Sequence, residues 1–357
     1  MKYHLKISLF VVIVLIAACK SKPKEEDNKE KQQRYIHSNY RGSASKHCDL
    51  ISTRLFLEPN FADREITGRA EIQLKPHFYS TDSVILDAKY MRIVKVSLNL
   101  NAGKPGVSGM SNTIDLKYSY DSIKLKIELD RFYSKEEKIN LIIDYVAQPE
   151  KVKVEGSAAI TSDKGVYFIN HKGLDPDKPV QMWTQGETDA ASCWFPTIDA
   201  PNQKTTQEIH VKVEKKYRTI SNGKLVSSTS DSIKRTDVWI QELPHAPYLF
   251  ALVVGEFSKI EDKLGSMPVD YYVEKEYEPY ARLVFGNTPE MIKFFGEKLG
   301  TPYAWDKYSQ VVVREFVSGA MENTGCVIHF DKLQHNNREH LDNTYENVVS
   351  HELFHHW

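Results

Sequence analysis

From Asp49 to about Phe257, apolar and polar residues alternate along much of the chain. Leu125, Ile127 and Leu129 alternate with Lys124, Lys126 and Glu128. Ile139, Leu141, Ile143 and Tyr145 repeat the pattern, and Ile209, Val211 and Val213 alternate with His210, Lys212 and Glu214. Successive side chains of a strand point to opposite faces, so a period of two predicts half-buried antiparallel strands. Turn signals such as Asn222-Gly223 fall between these runs. The pattern predicts a large antiparallel β domain over residues 48–257.

After Phe257 the spacing changes. Pro268–Val273 predicts a short strand. Leu283, Met291, Phe294, Phe295 and Leu299 then recur at helical intervals across Pro279–Leu299, with Gly300 and Pro302 placed to end the helix. Tyr308–Val313 and Val327–Phe330 predict strands. Asp342 or Asn343 is placed to cap a last helix running through Val348, Val349 and His355. Mixed strands and helices over residues 258–357 predict the first part of an α+β catalytic domain.

The N-terminus has a different texture. Lys2, His4 and Lys6 precede an apolar run from Leu9 to Ala18, too short for a comfortable membrane span. The run ends Ile16-Ala17-Ala18-Cys19, and small residues directly before a cysteine resemble a bacterial lipobox. Residues 1–19 are therefore expected to be a lipoprotein signal peptide with Cys19 lipidated; an ordinary signal peptide or uncleaved anchor is the alternative. The strongly polar stretch that follows predicts a disordered charged tether over residues 20–47. These features together predict a protein of the bacterial cell envelope, held to the membrane by lipid and facing the periplasm or exterior.

Composition narrows the function classes. The 357 residues carry a net charge of -1, which gives no reason to expect a nucleic-acid partner. It leaves the oligomeric state open. Beyond Cys19, the widely spaced Cys48, Cys193 and Cys326 form no CxxC pair or disulfide framework and are expected to be small buried residues.

The candidate chemistry begins with His351-Glu352-Leu353-Phe354-His355, an H-E-x-x-H pattern. Residues four apart share a helix face, so His351 and His355 can offer two imidazole nitrogens to one zinc ion. Glu352 lies beside them and can take a proton from a water that the ion polarises. A second constellation is Gly319-Ala320-Met321-Glu322-Asn323. Two small residues let a substrate backbone approach as an added strand, while Glu322 supplies an anion beside it. An anion that grips the α-ammonium of a peptide makes an exopeptidase, because a chain threaded further along leaves that carboxylate unpaired. The third segment is Gln185-Gly186-Glu187, followed by Phe195-Pro196-Thr197-Ile198-Asp199-Ala200-Pro201 and Lys204. By itself it reads as a polar structural loop.

Taken in this order, the three segments resemble the aminopeptidase N family of zinc peptidases, in the gluzincin clan, which also contains leukotriene hydrolase. Tyr303, Trp305, Asp306, Lys307 and Tyr308 look like the same family. The resemblance implies a saddle-shaped antiparallel β domain followed by a thermolysin-like catalytic domain, one Zn2+ per site, and peptides with a free N-terminus as substrates. It makes His351 and His355 zinc ligands and Glu352 the general base. Glu322 and Glu187 would bind the substrate amine, and Gln185 and Ala320 would line the pocket for the N-terminal side chain. Gly319 and Ala320 would hold the backbone, with Met321 and Asn323 completing the substrate-binding motif.

Two departures stand out. Many relatives have Ala-Arg ahead of F-P-C, whereas this chain reads Ala190-Ala191-Ser192-Cys193-Trp194-Phe195-Pro196-Thr197. The family also supplies a glutamate as third ligand and a tyrosine for the transition state, both beyond the second histidine. Neither falls within the sequence as given, so the chain is expected to be a fragment of a longer enzyme, with weak zinc binding and little activity of its own. The alternatives are a thermolysin-type endopeptidase, which G-A-M-E-N argues against, and a non-catalytic peptide-binding lipoprotein.

Overall fold

The computed structural model describes residues 45–100 and 112–357. The expected leader, Cys19 and the tether through residue 44 lie outside them. His47–Trp357 forms one compact unit, and no helix among the described residues is long and apolar enough to cross a membrane.

The largest sheet has eight strands, in the order Lys224–Ser230, Lys234–His245, Thr205–Glu214, Cys48–Asn60, Glu65–Pro76, Ile139–Ala147, Arg92–Asn99 and Thr113–Asp115. The sheet is antiparallel as expected apart from one pair: Cys48–Asn60 and Thr205–Glu214 run parallel, with Leu55 opposite Ile209. Alternation reports which face is buried and says nothing of strand direction, so this pairing leaves no mark in the pattern. A three-stranded sheet orders Thr81–Asp87, Lys124–Tyr133 and Tyr118–Tyr120. Leu125 and Ile127 turn inward from it and their lysine neighbours outward.

The third sheet, Arg218–Ser221, Leu252–Gly255, Gln181–Thr184 and Val166–Ile169, lies between two cores. Phe168, Met182, Leu252 and Val254 join the core of the large sheet. Their neighbours Tyr167, Ile169, Trp183 and Val253 join Tyr272, Val311, Val313, Cys326 and Ile328 on the opposite side. A strand with apolar cover on both faces reads as a continuous apolar run, which accounts for Val-Tyr-Phe-Ile and Leu-Val-Val-Gly. Cys48, Cys193 and Cys326 are free and buried.

The fourth sheet orders Ser258–Leu264, Met267–Val273, Tyr308–Val313, Cys326–Phe330 and the edge strand Ala320–Met321. Its three central strands run parallel, while each outer strand is antiparallel to its neighbour. Four helices accompany it: α1 (Ala281–Phe285), α2 (Thr288–Leu299), α3 (Asn337–His340) and α4 (Glu346–Phe354). Phe285, Ile292, Val349 and Leu353 pack with Tyr271, Tyr308, Val312 and Val327 on the face away from Trp183.

Two helix expectations change. The single helix expected over Pro279–Leu299 is a 3-10 turn at Lys275–Tyr280 followed by α1 and α2. Pro289 has no N–H to continue the α1 ladder, and the Thr288 hydroxyl donates to Phe285 O at 2.6 Å in its place. The end at Gly300 is as expected, in the left-handed conformation at φ 66°. The last helix is capped by neither Asp342 nor Asn343. It begins after Tyr345, which is left-handed at φ 54°, and Asn343 Oδ1 instead accepts from Tyr345 N at 2.9 Å.

Candidate active site

Helix α4 is two-sided. Val349 and Leu353 are fully buried and hold it against the fourth sheet. Asn347, Val348, His351, Glu352 and His355 line a cleft of about 420 Å³. Positions one turn apart share a helix face, so the same spacing that packs the helix aligns these side chains. Across the cleft stand Glu187, Ser318, Gly319, Ala320 and Glu322.

His355 follows the last residue of α4 but keeps right-handed helical angles, φ -58° and ψ -15°. The four-residue relation to His351 therefore persists, and the two Nε2 atoms are 3.3 Å apart. Two nitrogens bound tetrahedrally to zinc at about 2.0–2.1 Å would sit about 3.3 Å apart, so this pair fits the ion. His355 Nδ1 lies 4.0 Å from Glu322 Oε1. Ligand atoms of Glu322, Glu352 and His355 all lie within 4.8 Å of one another. His355 belongs to both groupings: its Nε2 faces His351 and its Nδ1 faces Glu322, while His351 is not a member of the group formed with the two acids.

The carboxylates crowd one another. Burial pushes Glu352 up to about 7, and the nearby Glu322 and Glu187 push the same way. Burial also raises Glu187, with Glu322 adding and His355 opposing. Like charges gathered in a partly dry cleft favour either protonation or the arrival of a cation.

Glu187 is delivered by a tightly packed loop. A Cβ at Gly186 would lie 2.2 Å from Tyr248 O, so a glycine is required between Gln185 and Glu187. The Asp199 carboxylate accepts from Ser192 N at 2.8 Å and thereby holds the turn that follows Glu187. Asp199 N in turn donates to Asp87 Oδ2 at 3.0 Å. The F-P-x-x-D-x-P stretch thus supports the loop rather than facing the cleft, with Trp194 and Phe195 buried in the large core.

The structure brings together Glu187, Gly319, Ala320, Glu322, His351, Glu352 and His355, and it leaves three predicted site residues off the cleft wall. Met321 is buried in the core side of its strand. Asn323 is buried, with Nδ2 directed at Leu249 O and Phe250 O at 3.3 and 3.4 Å. Gln185 is also buried, and neither Oε1 nor Nε2 has a hydrogen-bond partner. Gly319 O accepts from Phe330 N at 3.1 Å, and Ala320 pairs with His329 along the inner side of the edge strand. Asn347 and Val348 were missed, although they lie one helical turn before His351 and Glu352. Tyr248 was missed as well: burial and the nearness of Glu322 and Glu187 raise its phenol above the ordinary value. No local sequence pattern signals that placement.

Comparison with known proteins matches residues 28–249 to the Peptidase M1 N-terminal domain and residues 284–357 to the Peptidase family M1 domain. Aminopeptidase 2, mitochondrial, of Saccharomyces cerevisiae is 30% identical over 318 residues, covering 87% of this chain and 31% of that protein. Leukotriene A-4 hydrolase of Xenopus laevis is 25% identical over 308 residues, covering 85% and 46%. Glutamyl aminopeptidase of Mus musculus is 30% identical over 174 residues, covering 46% and 18%. The chain thus spans less than half the length of these relatives. Among solved structures, the M1 zinc metallopeptidase from Deinococcus radiodurans superposes with a TM-score of 0.68 at 18% identity, covering 88% of this chain and 65% of that one. The mostly β N-terminal region followed by a sheet with a few helices is the fold of that peptidase.

Proposed function

The chain belongs to peptidase family M1, and we propose that its cleft serves a zinc aminopeptidase that removes N-terminal residues from peptides. His351 and His355 hold the zinc, a role supported by their 3.3 Å nitrogen separation. When bound, the ion supplies Lewis-acid polarisation of water and of the scissile carbonyl. Glu352 takes the proton from the attacking water and returns it to the leaving amine. Burial and the neighbouring acids raise its proton affinity when no ion is bound, and a bound zinc ion would oppose that rise and favour the carboxylate that accepts the proton.

Glu322 and Glu187 take the α-ammonium of the substrate. The outer edge of Ala320–Met321 carries the peptide backbone as an added strand, with Gly319 and Ala320 giving close approach. Ala320, on the cleft wall, bounds the space for the N-terminal side chain, whereas Gln185 lies buried behind that wall. The observation that carries this reading is the placement of Glu187 and Glu322 across one cleft from His351 and Glu352. An amine held by the acids leaves only the first peptide carbonyl within reach of the histidines. A peptide threaded further would bury both acids unpaired, which disfavours an endopeptidase. At the N-terminus, small residues before Cys19 support attachment of a lipid there and a place in the bacterial cell envelope.

Calorimetry of the zinc-loaded protein with leucinamide and N-acetyl-leucinamide tests the reading. Binding of the free amine alone, weakened by a chelator, is expected. Equal binding of both ligands would favour the endopeptidase, and binding indifferent to the chelator would favour a metal-free peptide-binding protein.

A further inference from the structure

Glu322 is followed by Asn323-Thr324-Gly325, a buried segment whose polar groups are held by residues distant in sequence. Thr324 O accepts from Asn222 Nδ2 at 2.8 Å. The Thr324 hydroxyl is 3.0 Å from His245 Nδ1. Gly325 O accepts from the buried Lys307 ammonium at 2.7 Å. Asn323 itself reaches Leu249 O.

Asn222 connects these contacts. It is fully buried in the turn after Arg218–Ser221, and a Cβ on the neighbouring Gly223 would lie 1.9 Å from Ile240 O. Besides Thr324 O, its Nδ2 donates to Leu249 O at 3.0 Å, and its Oδ1 accepts from Ala251 N at 2.7 Å. The pattern fixes the amide's orientation, because a flipped amide would aim an acceptor at two carbonyls and a donor at an N–H. One side chain of the β region thus ties the 249–251 segment, which adjoins Tyr248, to the segment that ends the amine-binding strand.

We propose that Asn222 is a positioning residue for amine recognition, setting the place of Glu322 in the cleft through Thr324 without touching substrate. This rests on the reading of Glu322 as the amine anchor. Losing both donated hydrogen bonds takes the Asn222 donor from the buried Thr324 O and leaves Leu249 O with only the longer bond from Asn323 Nδ2 at 3.3 Å, so the segment must shift to find another partner for Thr324 O. Glu322 lies two residues upstream and moves with it. Helix α4 carries the metal-facing histidines and makes no hydrogen bond to Asn222; its tie to the segment is Gly325 N donating to His356 Nε2 at 3.3 Å, next to His355, so zinc affinity is expected to fall less than amine affinity.

The test uses the full chain loaded with zinc. Calorimetry with leucinamide is run on the parent, Asn222→Asp, Asn222→Ala and Glu322→Gln, with zinc affinity measured alongside. The proposal expects both Asn222 variants to bind leucinamide roughly tenfold more weakly, a change of the size set by a few lost hydrogen bonds, while losing less affinity for zinc than for leucinamide. Unchanged leucinamide affinity in a folded Asn222 variant, with Glu322→Gln impaired, overturns the positioning role alone. An equal loss of zinc affinity overturns it too, by showing a general structural defect. If Glu322→Gln binds leucinamide as the parent does, the amine anchor itself fails and the proposal falls with it. Should the Asn222 variants not fold, hydrogen exchange on the parent decides. Leucinamide must then slow exchange in segments 221–224 and 249–251 as well as 320–326, and protection confined to 320–326 overturns the proposal.

Discussion

Asp199→Asn probes the support of the Glu187 loop through a pH-dependent stability. Burial pushes the Asp199 carboxyl from the ordinary 3.8 up to about 7, with Asp189 and Asp87 adding to the rise and the bond from Ser192 N opposing it. Asp199 Oδ1 is buried without a partner, although the residue as a whole is partly exposed. Between those two pH values the folded chain keeps a proton that the unfolded chain has released. Folding stability from this group therefore falls as pH rises through the window, and levels off above about pH 7. From about pH 5 to about pH 8 the loss reaches at most about 2.5 kcal/mol, at about 1.4 kcal/mol per tenfold change in proton activity. Partial exposure screens the charge, so about 1–2 kcal/mol is the expected size.

Asparagine keeps an acceptor for Ser192 N but cannot ionise. Urea unfolding of parent and variant at the two pH values, at one ionic strength, gives a double difference in which all other titrating groups cancel, Glu352 included. Asp199→Asn should lose about 1–2 kcal/mol less than the parent on raising the pH. Parallel losses in the two proteins would refute the buried-carboxyl account.

Other consequences can be checked more briefly. Phe285→Ala empties a fully buried site between Tyr271 and His329 and should cost about 3–5 kcal/mol in urea unfolding. The same core seats α4, so zinc affinity should fall in that variant as well. His351→Ala and His355→Ala should each weaken zinc binding by an order of magnitude or more in a competition titration with a fluorescent chelator, while Phe354→Ala, on the exposed side of α4, should not. In a bacterial host fed a labelled fatty acid, the parent should take up label and Cys19→Ala should not.

Much of this organisation was legible in the sequence. Alternation located most strands because burial on one face imposes a period of two, but it gave no signal in Val166–Ile169 and Leu252–Gly255, whose two faces meet different apolar cores and which read as continuous apolar runs. It was blind to the parallel pairing of Cys48–Asn60 with Thr205–Glu214, since direction does not alter which residues face inward. The break between α1 and α2 had a signal in Pro289. The start of α4 had none, because a left-handed Tyr345 follows from the packing of the preceding loop. H-E-x-x-H and G-A-M-E-N brought their residues to one cleft because their spacing matches the geometry of a helix face and an edge strand. Met321 and Asn323 turned away for the same geometric reason, as neighbours of Ala320 and Glu322. Asn222 read only as a turn residue, since its partners lie far along the chain.

The central claim is that one cleft holds a metal at His351 and His355 beside an amine at Glu322 and Glu187. Replacing zinc with Co2+ makes the metal visible by its absorption, and leucinamide can then be titrated into the coloured protein. The account predicts that leucinamide alters the cobalt spectrum, that N-acetyl-leucinamide does not, and that the response is lost in Glu322→Gln with cobalt still bound. A spectrum that responds alike to the free and the acetylated ligand, or that is unchanged by both, would contradict it.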